Sequence, residues 1–307
     1  MADQKGWLEV SLTCSGELAE AVAEVFSRYA PDGIVLNSIT AFDPEAYEQK
    51  PTGEMQVVAY LFQDEALEAT RKHLEEDIWH LSQIIPLPEL RFQEVADQDW
   101  MSGWKQHYRP LNLGKQLIIL PAWVDPSLAG NRIPIVISPD MAFGTGTHPS
   151  TQLCLIALEK YASPEMKVID IGCGSGILSI AAARLGASQI LGVDNDPTTI
   201  PSAQRNAQLN GLGQQIIFEQ GTHTDVLSRQ DNLNHAGIVL ANILAPVLIA
   251  MLESGLAETL DPGGILIMGG ILDTQAQAVS KAAASQGLQL VEKLEQGDWV
   301  VLVEKRA

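Results

Sequence analysis

The chain has 307 residues, 46% of them hydrophobic, with 38 acidic against 19 basic side chains and a formal net charge of −19. That is length and apolar content for roughly two domains with cores of their own, and the charge argues against binding bare nucleic acid, whose phosphates demand a basic surface. The acidity is uneven, since residues 1–94 hold 18 Asp and Glu against 6 Lys and Arg, and it suits a basic partner. The three cysteines, Cys14, Cys154 and Cys173, have no paired spacing, which points to a reducing compartment and no structural zinc. The polar start Met1 to Lys5 is not a signal peptide and no apolar run reaches membrane-spanning length, so a soluble, cytoplasmic protein without a membrane partner is expected.

Elements follow in chain order. Trp7 to Thr13 alternates as a strand, and Glu17 to Tyr29 carries Leu18, Val22, Val25 and Phe26 at helical spacing. After the turn Pro31-Asp-Gly33 come a strand at Gly33 to Ile39, a polar insertion near Asp43 to Gly53 and a strand at Met55 to Phe62. A helix over Glu65 to Leu81 and a strand over Leu90 to Val95 complete the order strand, helix, strand, strand, helix, strand. That is the split arrangement of a small α+β, ferredoxin-like domain, here residues 1–95.

Residues 96–116 read as an interdomain linker with a short helix, in which Trp100 and Trp104 share one face; packing between domains is the first reading of these rings, a substrate path the second. Residues 117–307 form the second domain. A glycine-rich segment, Met141 to Thr151, precedes a helix from Thr151 to Tyr161, with Pro149 in its first turn and Thr147 or His148 as its cap. So much glycine suits a flap that orders over a ligand, Phe143 giving an apolar contact and Thr151 a hydroxyl. His148 has no acid partner or nucleophile near it in sequence, and a structural role is expected for it.

The densest signal is Val168-Ile-Asp-Ile-Gly-Cys-Gly-Ser-Gly176, followed by Leu191-Gly-Val-Asp194. Lys167 to Ile171 reads as a buried parallel strand, and Gly172, Gly174 and Gly176 turn it into a helix from Ile177 to Leu185, closed by Gly186. A dinucleotide turn wants glycine or alanine at the sixth position of its fingerprint. Ile177 stands there instead, and the pattern resembles the first motif of class I methyltransferases, which bind S-adenosylmethionine. Asp194 is placed to accept from both ribose hydroxyls. A third strand, Val239 to Asn242, ends in an amide followed by Ile243 and Leu244, where amino-directed methyltransferases carry prolines and an aromatic. The missing aromatic clamp disfavours nucleobases and glutamine side chains as acceptors. In an open parallel sheet Gly172, Asp194 and Asn242 would meet at the strand ends where ligands bind. Glu219 to Ala236 is looser and more polar, and no role is assigned to it.

Together, Asp99-Trp to Trp104-Lys, Met141 to Thr151, Val168 to Ile177, Asn242-Ile-Leu-Ala-Pro246 and Gly269-Gly-Ile-Leu272 resemble the methyltransferase family of large-subunit ribosomal protein eleven. The resemblance implies a Rossmann-like class I methyltransferase domain, with a doubly wound, mostly parallel sheet, preceded by a substrate-recognition domain. It implies transfer of methyl groups from S-adenosylmethionine to lysine ε-amines and the N-terminal α-amine of a basic, lysine-rich ribosomal protein. Carried over by position, the cofactor contacts are Thr151, Gly172, Asp194 and Asn242, with Phe143, Thr145 and Gly174 beside them. No catalytic side chain is assigned, because alignment and desolvation suffice for the chemistry, and no metal is expected. The alternatives are a methyltransferase for another protein or a small-molecule amine, a nicotinamide oxidoreductase, which Ile177 disfavours, and a noncatalytic ribosome-assembly factor.

Overall fold

Two units, Met1–Arg109 and Pro110–Ala307, divide the chain in the computed structural model, which describes residues 7–30, 34–43, 48–64, 66–83, 86–95, 110–138 and 146–307. In the first unit, β1 (Trp7–Ser15), α1 (Gly16–Ser27), β2 (Ile34–Asp43), β3 (Glu48–Phe62), α2 (Leu67–Ser82) and β4 (Arg91–Val95) follow the expected order. The sheet runs β2-β3-β1-β4 with every neighbour antiparallel. Alternation along β1 sends Leu8, Val10, Leu12 and Cys14 into one core with Val22 and Phe26 of α1 and Leu74 and Ile78 of α2.

The polar insertion expected at Asp43 to Gly53 is mostly strand. β2 runs on to Asp43 and β3 starts at Glu48, pairing Asp43 with Glu48 and Thr40 with Pro51. The central partner β1 meets β3 only from Glu54 onward and β2 is the edge strand, so the extension is a two-stranded ribbon open along both outer edges. There Pro51 is tolerated, and the sequence from Asp43 to Gly53 carries no apolar alternation as a signal.

The second unit opens with a three-stranded sheet that the sequence reading passed over: β5 (Leu111–Leu113), β6 (Leu117–Pro121) and β7 (Ile133–Ile137), with β5 antiparallel and β7 parallel to β6. Then come α3 (Pro149–Tyr161), β8 (Lys167–Ile171), α4 (Ile177–Arg184), β9 (Gln189–Asp194), α5 (Thr199–Leu209), β10 (Ile216–Gln220), α6 (His223–Leu227), β11 (Ala236–Asn242), α7 (Ala245–Glu253), β12 (Leu260–Leu272), α8 (Asp273–Ser285), β13 (Leu288–Gln296) and β14 (Trp299–Arg306). Their sheet has the order β10-β9-β8-β11-β12-β14-β13. All its pairings are parallel except the two made by β14. The expected doubly wound, mostly parallel sheet is therefore present. Its strands are apolar on both faces because each face carries its own core, Val168, Ile238 and Leu240 facing one and Ile169, Ile171 and Val239 the other. The winding reverses between β8 and β11, and Ile171, Asp194, Gln220 and Asn242 close the strands on either side.

The Glu219 to Ala236 stretch is more ordered than its composition suggested. Thr222 and Asp225 cap α6 reciprocally, and Arg229 pairs with both Glu219 and Asp231.

Candidate cofactor site

The glycine turn is shaped by what packs into it. Gly172, Gly174 and Gly176 all have positive φ, at 71°, 50° and 77°, where side chains are strained. A Cβ at 172 would stand 2.9 Å from the Ile243 side chain, and one at 176 would stand 2.9 Å from the ring of Phe218. Gly176 caps α4 but has no side chain to accept its free N–H groups. Asp170, inside β8, supplies the acceptor across the turn: its Oδ2 accepts from Ser179 N at 3.0 Å and from Ser179 Oγ at 2.6 Å. Burial pushes this carboxyl up to about 6, the Ser179 bonds opposing the shift and the nearby Asp194 charge adding to it.

Asp194 ends β9 with both oxygens anchored. Oδ2 accepts from Gly174 N at 2.9 Å and Oδ1 from Asp196 N at 3.0 Å. Each carboxylate oxygen can accept twice, so one acceptor position per oxygen is left for a ligand. Asp196 is itself held below the ordinary carboxylate range by hydrogen bonds from Thr198.

Asn242 ends β11 beside them. Its Nδ2 donates to Thr151 Oγ1 at 3.2 Å, while its buried Oδ1 has no hydrogen-bond partner among the described residues. The Gly269-Gly270 pair explains how that oxygen is kept clear: a Cβ at 269 would lie 2.7 Å from it, and one at 270 would strike the Ile243 backbone at 2.6 Å. A buried acceptor without a donor is costly, and it fits a ligand carrying an N–H group.

Thr151 lies in the first turn of α3, where His148, Ser150 and Thr151 are all buried. Between the two caps expected, the structure selects His148, whose Nδ1 accepts from Ser150 N at 3.2 Å. The imidazole stands edge-on to Trp299 with ring centroids 4.5 Å apart, and burial lowers it to about 4. It is a neutral cap at neutral pH.

Thr151 and Asn242 are thus in contact, as are Gly174 and Asp194, and Gly172 touches Ile243, the residue after Asn242. Phe143, Thr145, Trp100 and Trp104 lie outside the described residues, as does the turn at residues 31–33. The sequence reading passed over Asp170, a lone carboxylate in an apolar strand, and Asn206 and Asn210, four residues apart on α5 and at its C-terminal cap. Each carried a signal, a polar group where burial was expected. No metal-holding cluster occurs among the described residues, and none of their helices is long and apolar enough to cross a membrane.

A sheet wound this way, with its hydrogen-bond acceptors gathered at the reversal, is built to hold a nucleoside, and isoleucine at the sixth position sets it among the Rossmann-like methyltransferases rather than the dinucleotide enzymes. The chain matches the family Ribosomal protein L11 methyltransferase (PrmA) over residues 6–307. It is 37% identical to the ribosomal protein L11 methyltransferase of Chloroflexus aurantiacus over 98% of both chains, and 33% identical to that of Herpetosiphon aurantiacus over 98% of this chain and 99% of the relative. The crystal structure of ribosomal protein L11 methylase from Lactobacillus delbrueckii subsp. bulgaricus superimposes with a TM-score of 0.57 at 31% identity, covering 65% of this chain and 98% of that one. The chain belongs to the ribosomal protein L11 methyltransferase family, and it is an S-adenosylmethionine-dependent protein methyltransferase.

Proposed function

We propose that this chain methylates ribosomal protein L11 on lysine ε-amines and on the N-terminal α-amine. The observation that carries the reading is the meeting of Thr151 and Asn242 beside the Gly174–Asp194 pair, in a chain that matches the family over residues 6–307. In this reading the remaining acceptor positions of Asp194 take the ribose hydroxyls. With Gly172 and Gly174 bare and the Cys173 side chain buried in the core, the turn lets the ligand approach the backbone, and Thr151 with Asn242 holds the methionine end. Phe143 and Thr145 are proposed as further contacts from the preceding segment.

S-adenosylmethionine supplies an electrophilic methyl group when bound. The protein's task is to hold an uncharged amine in line with it. A lysine with its ordinary pKa of about 10.4 is almost wholly protonated at neutral pH, so a desolvating approach must favour the neutral form. The Asn242 Oδ1 is suited to accept a hydrogen bond from that amine. No side chain is needed as a general base: His148 spends its Nδ1 on the α3 cap, and Asp170 is buried against Ser179. Protons shed between rounds of methylation pass to water.

The N-terminal unit is proposed as the recognition domain, its acidity matching a lysine-rich substrate. The test is methyl transfer from labelled cofactor onto purified ribosomal protein L11, with other ribosomal proteins and free lysine as comparison acceptors. Labelling of L11 alone supports the reading, and equal labelling of free lysine contradicts it.

A further inference from the structure

Asn206, on α5, lies outside the acceptors assigned above, yet its side chain touches the glycine turn. It is 1% exposed. Its Oδ1 accepts from Ser138 N at 3.0 Å, just past the end of β7, and its Nδ2 donates to Ser175 O at 2.9 Å, between Gly174 and Gly176. One neutral amide thus bridges the turn and the small sheet's last strand. Only a side chain that donates and accepts at once can do this, since one target is an N–H and the other a carbonyl.

Asn210, one helical turn on, braces the bridge. Its side chain takes both polar groups of Val136, accepting from the N–H at 2.9 Å and donating to the carbonyl at 2.6 Å, and it also donates to the Asn206 carbonyl at 2.8 Å. The strand end is therefore clamped to α5 at Val136 and Ser138, and α5 to the turn at Ser175. On the other side of that turn, Asp194 holds Gly174. The backbone from Gly174 to Gly176, with three residues of the turn at positive φ, is fixed from both sides by side-chain hydrogen bonds.

We infer that Asn206 is a positioning residue for the cofactor: it sets the Ser175–Gly176 peptide against β7, so that its loss weakens cofactor binding more than it slows turnover. This rests on the glycine turn being the cofactor site. The mechanism is indirect, because both hydrogen bonds of the Asn206 side chain go to backbone groups.

The experiment compares the full chain with Asn206→Ala and Asn206→Asp by calorimetric titration with S-adenosylhomocysteine, and by the KM for S-adenosylmethionine against kcat. Losing a buried hydrogen bond of this kind should raise Kd about tenfold in Asn206→Ala, with KM following and kcat changing less. Asn206→Asp keeps the shape and the acceptor for Ser138 but donates to Ser175 only when protonated. Relative to wild type it should bind weakly at about pH 8 and recover towards about pH 5.5, because an acid held against a carbonyl away from water keeps its proton above the ordinary range. Binding of Asn206→Ala within about twofold of wild type, whatever its melting temperature, overturns the inference. So does an Asn206→Asp whose affinity relative to wild type is the same at both pH values. Failure of the wild-type chain itself to bind S-adenosylhomocysteine would instead remove the reading of the turn on which the inference stands.

Discussion

Gly174 donates its backbone N–H to the carboxylate of Asp194 at 2.9 Å, so the turn after β8 and the residue that ends β9 act as one unit. Removing the carboxylate would release the turn and delete the proposed ribose acceptors together. Charge-assisted hydrogen bonds contribute about 1.5–3 kcal/mol each, so Asp194→Ala should weaken S-adenosylhomocysteine binding by about 100-fold or more. Asp194→Asn, which retains one acceptor, should fall between it and wild type. Calorimetry decides the order, and unchanged affinity in Asp194→Ala would reject the assignment.

The Asn242–Thr151 contact carries a different expectation. If Asn242 Oδ1 receives the amine, Asn242→Leu should lower kcat by about 100-fold, the scale of removing one transition-state hydrogen bond. Thr151→Val, which deletes only the partner of Nδ2, should cost less, and a double-mutant cycle should show the two coupled. A kcat left intact in Asn242→Leu argues against the role.

Stability against pH separates two buried groups with opposite signs. Asp170 is raised from 3.8 to about 6, so its contribution is full below its unfolded value and is lost as pH rises through 6. His148 is lowered from 6.5 to about 4, so its contribution is present above 6.5 and is lost as pH falls towards 4. Each is worth up to about 3 kcal/mol, and in wild type they largely offset. Denaturation of Asp170→Asn should show stability falling on acidification across this window, and His148→Asn, which keeps a cap, should show it rising. Because His148 caps α3 and no base is proposed, His148→Asn should also retain turnover.

Local structure is legible in the sequence where one physical requirement leaves one residue type. Positive φ in a tight turn demanded the glycines at 172, 174 and 176, and a carboxylate closing a buried strand stood out at Asp194. Asn242 was legible for the same reason. The short strands β5 to β7 were not, since three to five residues carry too little periodicity to separate strand from loop. Asp170 and Asn206 were hidden differently: each reads as a polar exception inside an element, and its purpose appears only once Ser179 and Ser175, nine and thirty-one residues away, are brought beside it. In sequence Ile177 signals only a missing glycine. In the fold it fills space, its Cδ1 lying 2.8 Å from where a Cβ at Gly146 would stand.

That contact predicts a steric failure. Gly146 has φ 86° and is wedged against Ile119 and Ile177, so Gly146→Ala should destabilise the fold by about 1–3 kcal/mol. Ile119→Val, which removes the Cδ1 that the new methyl would meet, should cost less in the Gly146→Ala background than in wild type. An equal cost in both backgrounds would place the whole penalty in the backbone angle or the Ile177 contact.

Charge in the N-terminal unit should show in kinetics. Residues 1–94 carry 18 acidic against 6 basic side chains, and the proposed attraction to a lysine-rich substrate is screened by salt. The KM for the protein substrate should therefore rise with ionic strength while the KM for S-adenosylmethionine stays nearly flat. Parallel responses would remove the electrostatic part of recognition.

The most direct measurement is intact-mass spectrometry of ribosomal protein L11 after incubation with the full chain and S-adenosylmethionine, followed by peptide mapping. Mass gains in whole methyl increments are expected, mapped to lysine side chains and the N-terminal amine, and lost with Asp194→Ala. An unchanged L11 mass, under conditions where the chain binds S-adenosylhomocysteine, would contradict it.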